Sequence, residues 1–153
     1  AYKKHWKTLL QGKNVHSFLD VSIGSGSVTL PLCELGVQLA GSDLSKEMIE
    51  YAKNYVDEPL CCNAINSPLK NNSVDLMFLR FLNSEVVDTK NAYKIFKVLY
   101  PKVKKKGLIV CFGHTPVLIR KEMFQRYGLI PIICNGYDKE RDAIFQFYVF
   151  EVK

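Results

Sequence analysis

An apolar segment that runs into a glycine-containing turn is the feature that most restricts how this chain can fold. Residues 17–22 read as a strand, the turn that follows contains Gly24 and Gly26, and a second apolar segment, 37–42, leads into Asp43. Glycines let the backbone of a turn approach a ligand closely, because they carry no Cβ atom. In open parallel sheets, ligands bind in the crevice outside the carboxyl ends of the strands. The pattern predicts such a crevice, with Asp43 placed to accept hydrogen bonds from both hydroxyls of a ribose.

The length and composition are those of an ordinary globular domain. The 153 residues are 48% hydrophobic and 24% charged, which suffices for one domain with its own core. We expect no transmembrane helix and no signal peptide, because no apolar run reaches the length of a membrane span and no basic-then-apolar leader opens the sequence. Five cysteines without a CxxC pair predict reduced thiols, and neither a disulfide scaffold nor a metal site. We therefore expect a cytoplasmic protein.

The net charge of +6 leaves room for a nucleic-acid or anionic partner. However, the densest basic cluster, at 102–106, lacks the interleaved aromatic residues of a single-strand-binding surface. We interpret the charge mainly as a solvated surface, so RNA is a possible but not a favoured partner.

Strand-like and helix-like segments alternate along the chain, which predicts a parallel sheet with crossover helices. Helices are expected at 27–35, from Ser45 towards Pro59, at 90–103 and from Thr115 to Gly128, and the loop 63–73 is expected to be irregular. The predicted strands are 17–22, 37–42, 60–62, 74–79, 108–113, 129–134 and 143–152. The last two should form an antiparallel hairpin joined by Asn135-Gly136 and a charged loop. We expect one domain over 1–153, with 1–16 as an N-terminal helical or lid segment and 17–153 as the core.

The turn after the first strand restricts the ligand. A dinucleotide cofactor prefers G-x-G-x-x-G, and counting from Gly24 the third position is Thr29. No G-K-[ST] follows, so a triphosphate-binding loop is not expected. These residues favour a nucleoside ligand without phosphates, and a nicotinamide-dependent oxidoreductase remains an alternative.

Several segments together resemble the class I (Rossmann-like) S-adenosylmethionine-dependent methyltransferases. Residues 19–29 look like motif I of that family, 41–48 are similar to its second motif, and 63–76 resemble its segment through strand 4. The likeness spans about 18–152. It implies an α/β fold with a single doubly wound, seven-stranded, mostly parallel sheet in the order 3-2-1-4-5-7-6, with strand 7 antiparallel and helices on both faces.

The resemblance also implies S-adenosyl-L-methionine as the cofactor. Two positions depart from the family pattern: Ser22 replaces the first glycine of motif I, and Asn63 replaces an aspartate that contacts the adenine amino group. The amide oxygen of Asn63 can still accept a hydrogen bond. The cofactor-binding residues that the resemblance implies are Asp20, Ser22, Gly24, Gly26, Asp43, Leu44, Met48, Asn63, Ala64 and Leu79.

The implied function is an enzyme that transfers a methyl group to a small-molecule acceptor, because the compact core has no inserted or appended substrate domain. An RNA or protein methyltransferase, and a non-catalytic cofactor-binding module of the same fold, are the alternatives. Methyl transfer needs chiefly a positioned nucleophile in a dry pocket, and a general base only if the acceptor must lose a proton.

We therefore assign no catalytic residue. Candidates for the substrate side are Arg80, Asn83, Ser84, His114, Tyr2, His5 and Trp6. A packing role is favoured for Trp6, and structural roles for His16 and Asp75, which lie at the other end of the strands.

Overall fold

One sheet organises the chain in the computed structural model, which describes residues 2–24, 26, 28–79, 88–113, 119, 121–138 and 143–153. Within these ranges seven strands are hydrogen-bonded in the order β3-β2-β1-β4-β5-β7-β6. The strands are β1 (Ser17–Asp20), β2 (Gln38–Asp43), β3 (Glu58–Cys61), β4 (Val74–Leu79), β5 (Val103–Gly113), β6 (Leu129–Asp138) and β7 (Ala143–Val152). The α-helices are α1 (Tyr2–Leu10), α2 (Lys46–Ala52), α3 (Thr89–Leu99) and α4 (Lys121–Arg126), and short 3-10 helices span Leu30–Leu35, Ala64–Asn66 and Tyr100–Lys102.

The strand directions confirm the predicted topology. β1 pairs in parallel with both β2 and β4, β2 pairs in parallel with β3, and β4 pairs in parallel with β5. β7 is antiparallel to β5 and to β6. The connections reverse direction across the sheet between β1 and β4, and at such a switch point the carboxyl ends of the strands open a crevice.

The helices cover both faces of the sheet, as predicted. On one face, Trp6 of α1 packs edge-on against Phe18 and Phe78, with ring centroids 5.4 and 5.5 Å away. On the other face, Phe124 of α4 lies between Phe96 of α3 and Phe150 of β7, at 5.0 and 4.3 Å. Successive residues of each central strand therefore contribute to two separate cores.

The region after β1 is less helical than predicted. Instead of a helix over 27–35, the structure has a 3-10 helix over Leu30–Leu35, and β1 ends at Asp20 rather than at residue 22. Pro31 in the first turn of this short helix has no N–H to donate. Gly36 ends it with φ +75°, as expected for a left-handed C-terminal residue.

Two further boundaries also differ from prediction. Ser45 is the N-cap of α2, as predicted, and its hydroxyl accepts a hydrogen bond from the Met48 amide at 3.3 Å. Pro59, however, does not end that unit before a strand at 60–62; it lies within β3. An edge strand tolerates proline, because one side of the strand needs no ladder hydrogen bond.

The second half of the chain shows three more differences. The helix predicted near 90–103, which Pro101 was expected to kink or end, ends at Leu99, where the 3-10 helix containing Pro101 begins, and β5 begins at Val103. The loop 63–73, predicted to be irregular, contains one 3-10 turn at Ala64–Asn66. The helix expected from Thr115 is described only over Lys121–Arg126, because 114–118 and 120 lie outside the described residues.

The predicted hairpin of β6 and β7 is confirmed, but Asn135-Gly136 does not belong to the connection between the two strands. β6 continues to Asp138, which pairs with Ala143, and the register shifts between Asn135 and Tyr137. A glycine at such a shift is typical of a β-bulge, in which one strand carries an extra residue. The sequence signal for a turn therefore marked an irregularity inside a strand.

Candidate functional site

The first turn is built around a buried carboxylate. Asp20 ends β1 with only 1% of its surface exposed, and Thr29 is fully buried. The Thr29 hydroxyl donates to Asp20 Oδ2 at 2.7 Å, and the Ser22 amide donates to Asp20 Oδ1 at 3.2 Å. Asp20 therefore joins the start of the turn to the residue that precedes the 3-10 helix, instead of presenting its carboxylate at the surface of the crevice.

Asp43 ties the same turn to the second strand. Its Oδ2 accepts a hydrogen bond from the Gly24 amide at 3.0 Å, and its Oδ1 accepts one from the Ser45 amide at 2.9 Å. The side chain is half-buried and lines the crevice. A carboxylate has about four lone-pair sites, so two remain for a ligand.

Both glycines of the turn have the backbone conformation that favours glycine. Gly24 has φ +52° and Gly26 has φ +77°. A Cβ atom on Gly26 would also lie 2.7 Å from Leu30 Cγ, closer than carbon atoms approach each other. The turn therefore depends on Gly26 for both conformation and space.

The crevice is a cavity of about 520 Å³ at the carboxyl ends of the strands. The ends of β1 and β2 and the loop after β3 contribute Val21, Ser22, Asp43, Leu44, Cys62, Asn63, Ala64 and Ile65, and the start of α3 contributes Asp88, Asn91, Lys94 and Ile95. Five of the residues that the family resemblance implied thus meet at one cavity: Ser22, Asp43, Leu44, Asn63 and Ala64.

The other implied residues support this part of the cavity from behind or lie to its side. Asp20 and Gly26 are buried in the turn, and Leu79 is buried at the end of β4 with 1% exposure. Gly24 contacts Asp43 through its amide, and Met48 is half-buried on α2. None of these five belongs to the cavity lining.

Leu44 gives the cavity an apolar surface next to Asp43. Its side chain is 71% exposed, the most of any large hydrophobic residue in the described part of the chain. Leaving a leucine this exposed forgoes the roughly 1.5–3 kcal/mol that its full burial would contribute. A flat, apolar part of a ligand placed over it would recover part of that free energy.

Backbone groups of the loop that carries Asn63 form hydrogen bonds with two side chains, those of Asn63 and Lys102. The Asn63 side-chain oxygen accepts a hydrogen bond from the Ile65 amide at 3.3 Å and so caps the short 3-10 helix. Lys102, 94% buried, donates to the Leu69 carbonyl at 2.6 Å. Burial raises the pKa of the neighbouring Cys62 thiol, and the positive charge of Lys102 acts in the opposite direction.

The sequence analysis missed the helical wall of the cavity. Asp88, Asn91 and Lys94 follow one another at intervals of three, which places them along one side of α3. Asp88 is the N-cap of this helix, a position at which aspartate is favoured. The sequence therefore contains the signal for an N-cap at Asp88, but the proximity of these three residues to Asn63 depends on how α3 packs.

The substrate-side candidates have different outcomes. Trp6 is 5% exposed, and its indole N–H donates to the Val28 carbonyl at 2.7 Å, so its predicted packing role is confirmed. Arg80, Asn83, Ser84 and His114 lie outside the described residues, as do the side chains of Tyr2 and His5. Their roles, and the lid formed by 1–16, stay predictions.

The amino end of the sheet holds a separate hydrogen-bonded group. Asp75 Oδ2 accepts hydrogen bonds from the amides of His16 and Ser17 at 2.9 and 3.0 Å, and Lys104 lies 3.3 Å from Oδ1. Partial burial acts to raise the pKa of Asp75, but these hydrogen bonds outweigh it and lower the pKa below its ordinary value. The structural roles predicted for His16 and Asp75 agree with these contacts.

In the described residues, no group of three or more histidine, cysteine, aspartate or glutamate side chains could hold a metal ion. None of the helices in that part of the chain is long and apolar enough to span a membrane.

The sequence of this chain matches a known protein family. The Methyltransferase domain family matches residues 19–111, which is more than half of the chain. The chain belongs to this family, the class I S-adenosylmethionine-dependent methyltransferases. The cofactor of the family is S-adenosylmethionine, as the sequence resemblance implied.

Two curated proteins are similar to the chain, and one of them is named as a methyltransferase. Isonocardicin synthase from Nocardia uniformis subsp. tsuyamanensis is 34% identical over 114 residues, which cover 74% of this chain and 38% of that protein. Ubiquinone biosynthesis O-methyltransferase from Pelagibacter ubique is 27% identical over 83% of this chain and 55% of that protein. The chain thus spans less than two thirds of the length of either relative.

Solved structures confirm the fold of this methyltransferase domain. A Leishmania major S-adenosylmethionine-dependent methyltransferase superimposes with a TM-score of 0.78 at 16% identity, covering 98% of this chain and 70% of that one. Magnesium protoporphyrin IX methyltransferase from Synechocystis PCC 6803, solved with bound cofactor, gives 0.75 at 15% identity, covering 99% and 78%.

Proposed function

We propose that this chain binds S-adenosylmethionine in the cavity at the ends of β1 and β2 and transfers its methyl group to a small-molecule acceptor. The observation that carries this proposal is the position of Asp43. Its two oxygens are held by the amides of Gly24 and Ser45, while its carboxylate also lines the cavity. A fixed carboxylate with spare lone pairs is suited to the paired hydroxyls of a ribose.

The rest of the cavity also fits a nucleoside cofactor. Its volume of about 520 Å³ lies within the roughly 300–1,000 Å³ that is typical of small-molecule sites. Leu44 would pack against the adenine ring, and Ser22 and Val21 would lie along the amino-acid end of the cofactor. When bound, S-adenosylmethionine supplies a methyl group on a sulfonium, which is already an activated electrophile.

The contribution of the chain is therefore binding and orientation. Asp43 holds the ribose, Leu44 covers the base, and the first turn limits the space available at the reacting end. Positioning of this kind can account for about 7–11 kcal/mol of a reaction barrier in the best intramolecular cases. The turn itself keeps its shape through Asp20 and Thr29, which are positioning residues in this proposal.

The acceptor class rests on the relatives. Isonocardicin synthase and the ubiquinone biosynthesis enzyme are named for small-molecule products. A further fold neighbour, a Burkholderia thailandensis N1-methyltransferase, was solved with its small-molecule acceptor 1,6-didemethyltoxoflavin bound. These names favour a small molecule over RNA or protein as the acceptor of this chain.

The proposal is tested by the products formed from S-adenosylmethionine. The protein is incubated with cofactor labelled in the methyl group and with pools of small phenols, amines and carboxylic acids, and products are identified by mass spectrometry. We expect S-adenosylhomocysteine and a labelled small molecule in equal amounts, both reduced in the Asp43→Ala variant when the cofactor is limiting.

Other products or acceptors would contradict it. Release of 5′-methylthioadenosine would mean that the amino-acid chain on the sulfonium is transferred instead of the methyl group. Labelling of RNA or protein alone would overturn the acceptor class. Cofactor binding without methylation of any small molecule, RNA or protein would favour a non-catalytic module.

A further inference from the structure

Helix α3 presents one side-chain amide to the cavity in a fixed orientation. Asp88 Oδ1 accepts the backbone N–H of Asn91 at 2.8 Å, and Asp88 Oδ2 accepts a side-chain N–H of the same residue at 3.1 Å. A carboxylate only accepts hydrogen bonds, so it determines which end of the Asn91 amide is the nitrogen. Both residues line the cavity.

The groups that remain on Asn91 form a donor–acceptor pair. One side-chain N–H bonds to Asp88, which leaves the other N–H and the Oδ1 atom for a ligand. Within the described part of the chain, no group donates to that oxygen. Adenine offers the complementary pair on its edge, an amino donor beside a ring-nitrogen acceptor, and asparagine is a side chain that commonly reads it in this bidentate way.

We propose that Asn91 reads the adenine base of the cofactor and that Asp88 orients it for this role. This inference rests on the proposed binding of S-adenosylmethionine. Asn91 would then determine base specificity, a role that the sequence analysis gave to Asn63.

The arrangement of the cavity places a base next to α3. Asp43 would hold the ribose, and Val21 and Ser22 lie at the end where the first turn begins, so the base extends the other way. In that direction the lining continues through Cys62–Ile65, and the 3-10 turn within this segment packs against α3. A base lying over Leu44 would therefore turn one edge towards Asn91.

The state of Asn63 supports this assignment. Its side-chain oxygen already accepts the Ile65 amide at 3.3 Å, which leaves one lone pair on that oxygen, whereas no group of the described residues donates to Asn91 Oδ1. The adenine amino group needs an acceptor. Asn91 Oδ1 provides one.

The test compares two ligands that differ at the base alone. S-inosylhomocysteine carries an oxo group in place of the amino group and a protonated ring nitrogen beside it, which exchanges donor and acceptor. We expect the wild-type protein to bind S-adenosylhomocysteine more tightly than the inosine analogue by calorimetry. Asn91→Ala should reduce that preference at least about fivefold, the lower end of the discrimination of a bidentate contact.

A control variant tests whether the change in ligand preference is specific to Asn91. Asn71 is exposed and lies outside the cavity lining, so Asn71→Ala should leave the preference unchanged. A purely structural role for Asn91 would weaken both ligands equally and would not alter their ratio. An unaltered ratio in Asn91→Ala, or a wild-type protein that binds both ligands equally, would overturn this inference alone. Failure of the wild-type protein to bind S-adenosylhomocysteine would overturn the proposed function itself.

Discussion

The Thr29 hydroxyl donates a 2.7 Å hydrogen bond to the carboxylate of Asp20, and both side chains are buried beneath the turn that follows β1. Asp20 and Thr29 are nine positions apart in the chain, and both glycines of the turn lie between them. The contact explains why a threonine occupies a position where dinucleotide-binding turns have glycine. Here the side chain is part of the turn rather than an obstacle to a ligand.

Replacing Thr29 by valine should destabilise the protein. The substitution keeps the shape of the side chain but removes a donor from a buried carboxylate, which costs about 1–3 kcal/mol of unfolding free energy. Urea denaturation measures the difference. Thr8→Val is the matched control, because among the described residues the Thr8 hydroxyl bonds to the Lys4 carbonyl, at an exposed position of α1. Equal loss in the two variants would mean that the Asp20 contact contributes nothing specific.

Gly26→Ala should lower the unfolding free energy more than Gly36→Ala. Both glycines have a positive φ, +77° and +75°, so both variants carry about the same backbone strain, roughly 1–2 kcal/mol. Only at Gly26 does the added Cβ overlap Leu30, whereas nothing lies within 4 Å of it at Gly36. Overlap of this kind costs about 1–3 kcal/mol more. Similar midpoints in urea for the two variants would show that the turn has room for the methyl group.

Parts of this architecture follow directly from sequence patterns. Strand β4, predicted over 74–79, has those bounds in the structure because it is central and apolar on both faces. Ser45 and Gly36 mark helix ends, because capping depends on local chemistry. The carboxylate at the end of β2 lies in the cavity because parallel strands bring their carboxyl ends together.

Other features depend on contacts between distant residues. The sequence suggested a cofactor contact for Asp20, and nothing near Asp20 in the chain indicates its hydrogen bond with Thr29. The role of Asn91 requires α3 to pack against the loop at Asn63, 28 positions earlier in the chain. At Gly136 the local turn signal was overridden by pairing with β7, which continues past it.

Asp75 should make stability depend on pH in the acid range. Its folded-state pKa is lowered relative to the ordinary value of about 3.9 by its hydrogen bonds, so the stabilisation is fully present above that value. It should be lost as the pH falls through the lowered pKa, because the protonated carboxyl no longer accepts all of these bonds. Urea denaturation from pH 7 to pH 2.5 measures this slope. Asp75→Asn should be less stable at pH 7 and lose less stability on acidification; parallel curves for the two proteins would contradict the assignment.

Calorimetric titration with S-adenosylhomocysteine measures whether Asp43 holds the ribose of an adenosine cofactor. We predict that the wild-type protein binds one equivalent and that Asp43→Ala weakens binding by about 1–3 kcal/mol, which is roughly 5- to 150-fold. Asp57→Ala is the control, because Asp57 also accepts a strand amide, that of Leu39 at 2.8 Å, but lies outside the cavity lining. Undiminished affinity in a folded Asp43→Ala variant would show that Asp43 does not hold the ribose. No binding by the wild-type protein would show that the cavity is not a cofactor site.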